Sequence, residues 1–144
     1  MIPLRLSMTN FLCYSHSIPP LELEGIQLAC ISGDNGHGKT ALLDAITWAL
    51  WGEARAKTQE ELIHQGQLQM VVELEFMARN KRHKVIRRHS KSGRTKQGST
   101  ILELYILSND TVQPITGNTI RETENYIRSL LHMDYGTFTS SAFL

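Results

Sequence analysis

The first hydrophobic pattern in the chain has a period of two. Ile2, Leu4, Leu6 and Met8 alternate with Pro3, Arg5 and Ser7, which predicts an opening strand with one buried face. Thr9-Asn10 reads as a turn, Pro19-Pro20 interrupts the chain, and Leu21 to Gly25 reads as a short edge strand and turn. Ile26 to Ser32 is nearly all apolar, as a central strand covered on both faces would be. After a glycine-rich stretch, Gly33 to Gly38, the spacing becomes helical. Leu42, Leu43, Ile46, Ala49 and Leu50 fall on a helix from Lys39 to Trp51, with Gly52 as its stop. Thr58-Gln59-Glu60-Glu61 reads as the N-cap and first turn of a short helix.

From Leu68 the period returns to two. Met70, Val72, Leu74 and Phe76 alternate with Gln69, Val71, Glu73 and Glu75, predicting a half-exposed strand. Arg82 to His89 and Ser99 to Leu107 read as antiparallel neighbours joined by the polar loop Ser90 to Gly98. Asn109-Asp110 marks a turn, and Thr119 to His132 is amphipathic, with Ile120, Tyr126, Ile127, Leu130 and Leu131 apolar. The last ten residues, Tyr135 to Leu144, show no closing element. The pattern predicts an α/β chain with an antiparallel lobe beside the glycine-rich loop.

Composition bounds the function. The 144 residues, 41% hydrophobic and 20% charged, suit one globular core. No apolar run approaches the roughly 20 residues that span a bilayer, and the N-terminus lacks a long apolar signal region. The expectation is therefore no membrane association and a cytoplasmic or nucleoid-associated location. Cys13 and Cys30 are too few for a disulfide framework or a four-cysteine metal site, and their apolar neighbours predict reduced core thiols. The six histidines are scattered without metal-ligand spacing.

The net charge of +1 conceals a strong segregation. Nine of the fifteen basic residues lie between Arg79 and Lys96 with no acid among them, leaving six basic against fourteen acidic residues elsewhere. Such a run fits either a solvated hairpin or a surface for phosphate backbones. Without aromatic residues to stack on bases, it would contact double-stranded DNA without reading sequence. Arg87, Arg88, Lys91, Arg94 and Lys96 are the candidate DNA contacts, with Arg55 and Lys57 as further ones.

The chemistry is carried by Gly33-Asp34-Asn35-Gly36-His37-Gly38-Lys39-Thr40, a match to G-x-x-x-x-G-K-[ST] between an apolar strand and an apolar helix. Glycines at 33, 36 and 38 let the backbone approach phosphate oxygens closely. The N–H groups from Asn35 to Thr40 then form an anion nest, reinforced by the positive end of the helix dipole. Lys39 is expected to act catalytically, as a cation on the β- and γ-phosphates. The Thr40 hydroxyl is expected to ligate Mg²⁺, and Ala41 to add one more N–H. Hydrolysis also needs an apolar strand ending in Asp and a residue that positions water. Met70 to Phe76, with Glu73 and Glu75 alternating with apolar residues, reads as a solvated face rather than a metal site. Trp48 and Trp51, three apart, read as packing residues.

These motifs resemble a known family. T-N-F-x-x-Y at Thr9 to Tyr14, the G-D-N-G-x-G-K-T form of the phosphate loop, and L-L-D-A-I-x-x-A-L-x-G at Leu42 to Gly52 are similar to the N-terminal ATPase segment of SMC-like proteins. The resemblance is to the SbcC/Rad-fifty branch of DNA double-strand-break repair ATPases. The closing D-Y-G-T-F-T-S-S-A-F-L resembles the stretch before that family's Q-loop. It implies a P-loop NTPase of ABC-ATPase type, with a central P-loop strand and an antiparallel β-subdomain. Residues 1–144 would be the N-terminal lobe, a fragment or one piece of a split head, incomplete without the C-terminal lobe.

The resemblance further implies ATP and Mg²⁺ as cofactors, with ATP sandwiched between two heads in an ATP-dependent homodimer. Hydrolysis would need the C-terminal ATPase lobe. The implied partners are that lobe, a second head, a nuclease of the Mre-eleven/SbcD type and double-stranded DNA. Asn35, Gly36, His37, Gly38, Lys39, Thr40 and Ala41 would wrap the phosphates, and Ile63, His64 and Gln65 match the family segment that approaches the nucleotide. One departure is Leu12, where relatives often carry Arg, leaving Cys13 or Tyr14 as alternative contacts. A complete small kinase or GTPase is the rival enzyme. It would need the strand ending in Asp or an N-K-x-D motif, and neither occurs.

Overall fold

The computed structural model describes residues 1–16, 18–24, 39–91 and 98–142, with side chains for all of these except 39, 141 and 142. The strand expected over Ile26 to Ser32, the glycine-rich loop Gly33 to Gly38, Cys30 and the hairpin loop at 92–97 lie outside the described residues.

Among the described residues, six strands form one antiparallel sheet. They are β1 (Ile2–Thr9), β2 (Leu21–Glu22), β3 (Gln69–Ala78), β4 (Lys81–Ser90), β5 (Ser99–Leu107) and β6 (Val112–Pro114), in the order β2-β1-β3-β4-β5-β6. The period-two pattern sets which face is buried. One row across the sheet runs Leu6, Leu74, Val85, Leu104 and the next Met8, Val72, Arg87, Leu102, all buried. The opposite face carries Ser7, Glu73, Ile86, Glu103 and Arg5, Glu75, Lys84, Tyr105. A register shift at Pro3–Arg5 matches the missing N–H of Pro3 and leaves Ile2 exposed.

Helix α1 (Lys39–Trp51) covers the buried face, packing on β3 and β4. From Asp44 to Trp51 every residue is buried, so this helix is apolar nearly all round rather than amphipathic. Trp48 packs at 5.8 Å from Phe11. Gly52 ends the helix at φ +72°, with its N–H on the Trp48 carbonyl.

Helix α2 (Ile120–Leu131) packs on β5 and α1. Thr119 caps it by accepting from the Glu122 N–H, and His132 closes it in the left-handed region. Its buried positions are Thr123, Ile127 and Leu130; Tyr126, expected on the apolar face, is 47% exposed.

Other expectations are corrected. Cys13 is exposed rather than a core thiol, because it sits on the turn between Phe11 and Tyr14. The segment at Thr58 to Glu61 forms a single 3₁₀ turn, Glu60–Leu62, without a side-chain cap. The chain end is not structureless, since α3 covers Tyr135–Ala142. Its polar Ser/Thr composition hides it from a hydrophobic pattern. The Asp134 carboxylate accepts the Thr137 N–H at its start, and Phe138 packs 5.4 Å from Trp51.

Candidate nucleotide site

Lys39 is the first residue of α1, so the described part of the phosphate motif opens a helix as its sequence requires. Thr40 is exposed there, Ala41 is buried, and the first turn contains no acidic residue to oppose an anion. Asn35, Gly36, His37 and Gly38 lie outside the described residues.

The structure brings together two segments that the sequence keeps some fifty residues apart. Phe11 forms an isolated bridge with Ile63, the Leu12 N–H donates to the Leu62 carbonyl at 2.7 Å, and the His64 N–H donates to the Asn10 carbonyl at 2.8 Å. The His64 ring seals the contact, with Nδ1 2.6 Å from the Leu12 oxygen. A carbonyl only accepts, so Nδ1 is the donor in this contact. Ile63 is buried beneath this junction and Gln65 is exposed beside it. Asn10 and Leu12 both have φ near +55°, a conformation that costs Leu roughly 1 kcal/mol and is held here by those bonds. The Asn10 side chain is buried, with its Oδ1 unpartnered among the described residues.

Arg55 is held against α1 by Asp44. Its Nε and Nη2 donate to Oδ1 and Oδ2 at 3.3 and 3.4 Å, and its backbone N–H also donates to Oδ1. Asp44 follows Thr40 by four residues, on the same helix face and about 6 Å along the axis. Arg55 is thus anchored beside Asp44 in the N-terminal half of the helix. Lys57 is exposed, its N–H on Glu61.

The six-strand antiparallel sheet of the described residues, with a helix that begins at Lys39 packed on it, has counterparts among known proteins. A family model described as an AAA domain matches residues 5–142. The chain belongs to that family. Within it the chain is an SbcC/Rad50-type, SMC-like ATPase segment. It is 32% identical over 146 residues to the SbcC component of the SbcCD nuclease of Staphylococcus saprophyticus, covering 96% of this chain and 14% of the relative. It is 30% identical over 145 residues to the "DNA double-strand break repair Rad50 ATPase" of Thermoplasma volcanium, covering 100% of this chain and 15% of the relative. The chain therefore spans about one seventh of these relatives. Among solved structures, the ATP-bound recombination mediator RecF aligns with a TM-score of 0.60 at 17% identity, covering 81% of this chain and 28% of that one. The fold is that of the N-terminal lobe of an ABC-type ATPase.

In this AAA-family lobe the basic run is not a uniform positive surface. Neighbouring strands, and Glu24 just after β2, supply the acids that the run itself lacks. Arg82 pairs with Glu75 at 2.9 Å and Glu24 at 3.3 Å, Lys84 with Glu73 at 3.5 Å, and Arg88 with Glu103 at 2.5 Å. Glu73 and Glu75 are thereby ion-pair partners, and no metal-binding cluster occurs among the described residues. Arg79 donates to the Ser129 carbonyl.

Arg87, expected as a DNA contact, is 2% exposed and lies in the interior. Strand alternation explains this and could have been read beforehand: Val85, Arg87 and His89 share one parity and point inward together. Lys91 is exposed; Arg94 and Lys96 lie outside the described residues. His89, also buried, bonds Thr100 through Nδ1 and Glu60 through Nε2 at 2.9 Å, which holds the Glu60 carboxyl below its ordinary range.

Proposed function

We propose that this chain is the phosphate-binding lobe of an ATPase head that takes ATP with Mg²⁺ and acts in the repair of DNA double-strand breaks. One observation carries the reading: the G-D-N-G-H-G-K-T octapeptide runs without interruption into α1, which starts at Lys39 and has no acid in its first turn. The residues fit the ligand, a cationic amine and an exposed hydroxyl at the positive end of a helix. Lys39 would neutralise the β- and γ-phosphates, Thr40 would hold Mg²⁺, and Asn35 to Ala41 would donate N–H groups. Bound Mg²⁺ would offset charge on the leaving phosphate. The His64–Leu12 junction would fix Ile63 to Gln65 against the nucleotide, and Arg55 would add charge from its seat on Asp44.

Hydrolysis is assigned to the whole protein, in which a C-terminal lobe and a second head complete the site and a nuclease partner uses the resulting movement. The chain's small share of its relatives' length supports that division. Contact with double-stranded DNA is proposed for Lys57, Lys91, Arg94 and Lys96, with Arg55 and Arg88 reduced by their carboxylate partners.

The test is ATP binding by the full-length protein carrying Lys39→Ala or Thr40→Val. Hydrogen bonds to charged groups contribute about 1.5–3 kcal/mol, so Lys39→Ala should weaken binding about 10- to 100-fold. Undiminished affinity in Lys39→Ala would overturn the assignment.

A further inference from the structure

Arg87 is a buried charge that nucleotide chemistry does not itself require. Its guanidinium is shared among three elements. Nε donates to the Ala49 carbonyl of α1 at 3.3 Å, Nη1 donates to Glu124 of α2 at 3.0 Å, and the group lies 5.8 Å from the Trp48 ring centroid. Ala49 belongs to the last turn of α1, whose carbonyls have no partner within the helix. That turn has no basic residue of its own, so Arg87 supplies the cation at the negative end of the helix dipole. Glycine at 52 leaves the space: a Cβ there would meet Nη1 at 2.8 Å and Glu124 Oε1 at 3.0 Å.

This arrangement is a poor way to gain stability alone. Among the described residues Nη2 is buried without a partner, and apolar side chains fill the equivalent inward positions at Val85, Leu102 and Leu104. Replacing a buried ion pair by apolar residues of similar volume is often neutral or stabilising. What an arginine supplies and a methionine does not is direction. Two donors on a planar fork fix where the end of α1 lies relative to β4 and α2. A rigid helix held at its C-terminus is also held at its N-terminus, where Lys39 and Thr40 stand.

We propose that Arg87 is a positioning residue for nucleotide binding: anchored in β4 and braced by Glu124, it holds α1 by its C-terminal turn and so sets the placement of the phosphate-binding end. The proposal rests on the nucleotide-binding reading above. It also gives β4, the strand that leads into the basic loop, a direct mechanical link to the nucleotide helix.

The experiment compares full-length wild type, Arg87→Met, Arg87→Lys, Glu124→Gln and Lys39→Ala by affinity for Mg·ATP and by midpoint of urea unfolding. Arg87→Met, which leaves Glu124 without its cation, should lower the midpoint and weaken ATP binding about 3- to 30-fold, the range expected for residues that link distant sites. Arg87→Lys should fall between, because an ammonium cannot serve both acceptors from one plane. Glu124→Gln should weaken ATP in the same sense at an unchanged midpoint. Should Arg87→Met fail to fold, Glu124→Gln decides: weaker binding at an unchanged midpoint supports the proposal, and wild-type affinity overturns it. Wild-type affinity in a folded Arg87→Met also overturns it while leaving the nucleotide reading intact. Loss of affinity and midpoint together in Arg87→Met, with Glu124→Gln like wild type, reduces Arg87 to a structural role and overturns it too. If wild type and Lys39→Ala bind ATP equally weakly, both readings fall.

Discussion

The Nδ1 of His64 donates to the carbonyl oxygen of Leu12 across 2.6 Å, joining the loop after β1 to the segment that follows the 3₁₀ turn. Leu12 sits at φ +51°, so this bond helps offset an unfavourable backbone conformation. His64→Ala should lower the stability of the protein by about 1 kcal/mol, the usual worth of one such bond. His64→Asn, whose amide can donate from nearly the same place, should lose less. Urea unfolding of the two variants measures the difference, and equal losses would show the bond to be incidental.

Burial pushes the His83 imidazole below its ordinary value of 6.5, against the opposing effect of its Nδ1 bond to the Lys81 carbonyl. The unfolded chain takes up a proton near pH 6.5 and the folded chain only at lower pH. Between those values the unfolded state therefore binds more protons. Stability is full above about pH 6.5 and falls as pH drops through it towards the folded value. His83→Phe, stacked on Phe76 as His83 is at 5.3 Å, should flatten that slope. Unfolding free energies of both proteins from about pH 5 to 7 provide the check, and parallel slopes would contradict it.

Gly52 is required twice, once by its φ of +72° and once by the space that Arg87 occupies. Gly52→Ala should destabilise by more than the ~1 kcal/mol of a left-handed alanine alone, because Nη1 cannot retreat without leaving Glu124. A shift in the urea midpoint matching only the backbone cost would mean that the guanidinium has room to move.

For DNA, the carboxylate partners matter as much as the cations. Glu103→Gln frees Arg88 and should strengthen binding to duplex DNA, whereas Lys91→Gln should lower the slope of log affinity against log salt by about 0.9. Titrations at several salt concentrations separate the two. Unchanged slopes would remove this face from the DNA contact.

Most elements were legible in the sequence because their signals are local. Alternation over Met70 to Phe76 marks β3, and the apolar spacing from Leu42 to Leu50 marks α1. The same alternation, extended to charged residues, turns Arg87 inward. Helix α3 was not legible, since it rests on the Asp134 cap and the contact between Phe138 and Trp51. The exposure of Cys13 was equally hidden, because apolar neighbours in sequence do not make an apolar surrounding on a turn.

By itself the sequence determined the phosphate motif, the helix that must follow it and the faces of the strands, all properties of residues within a few positions of one another. Only the tertiary structure decided what the basic run amounts to. Strand pairing and helix packing bring Glu24, Glu75 and Glu124 to arginines 58, 7 and 37 residues away, and Coulomb attraction depends on distance in space. Among the described residues, the basic run thus becomes a set of paired charges on one face, Arg87 locked beneath the other, and an exposed Lys91 where the strand ends.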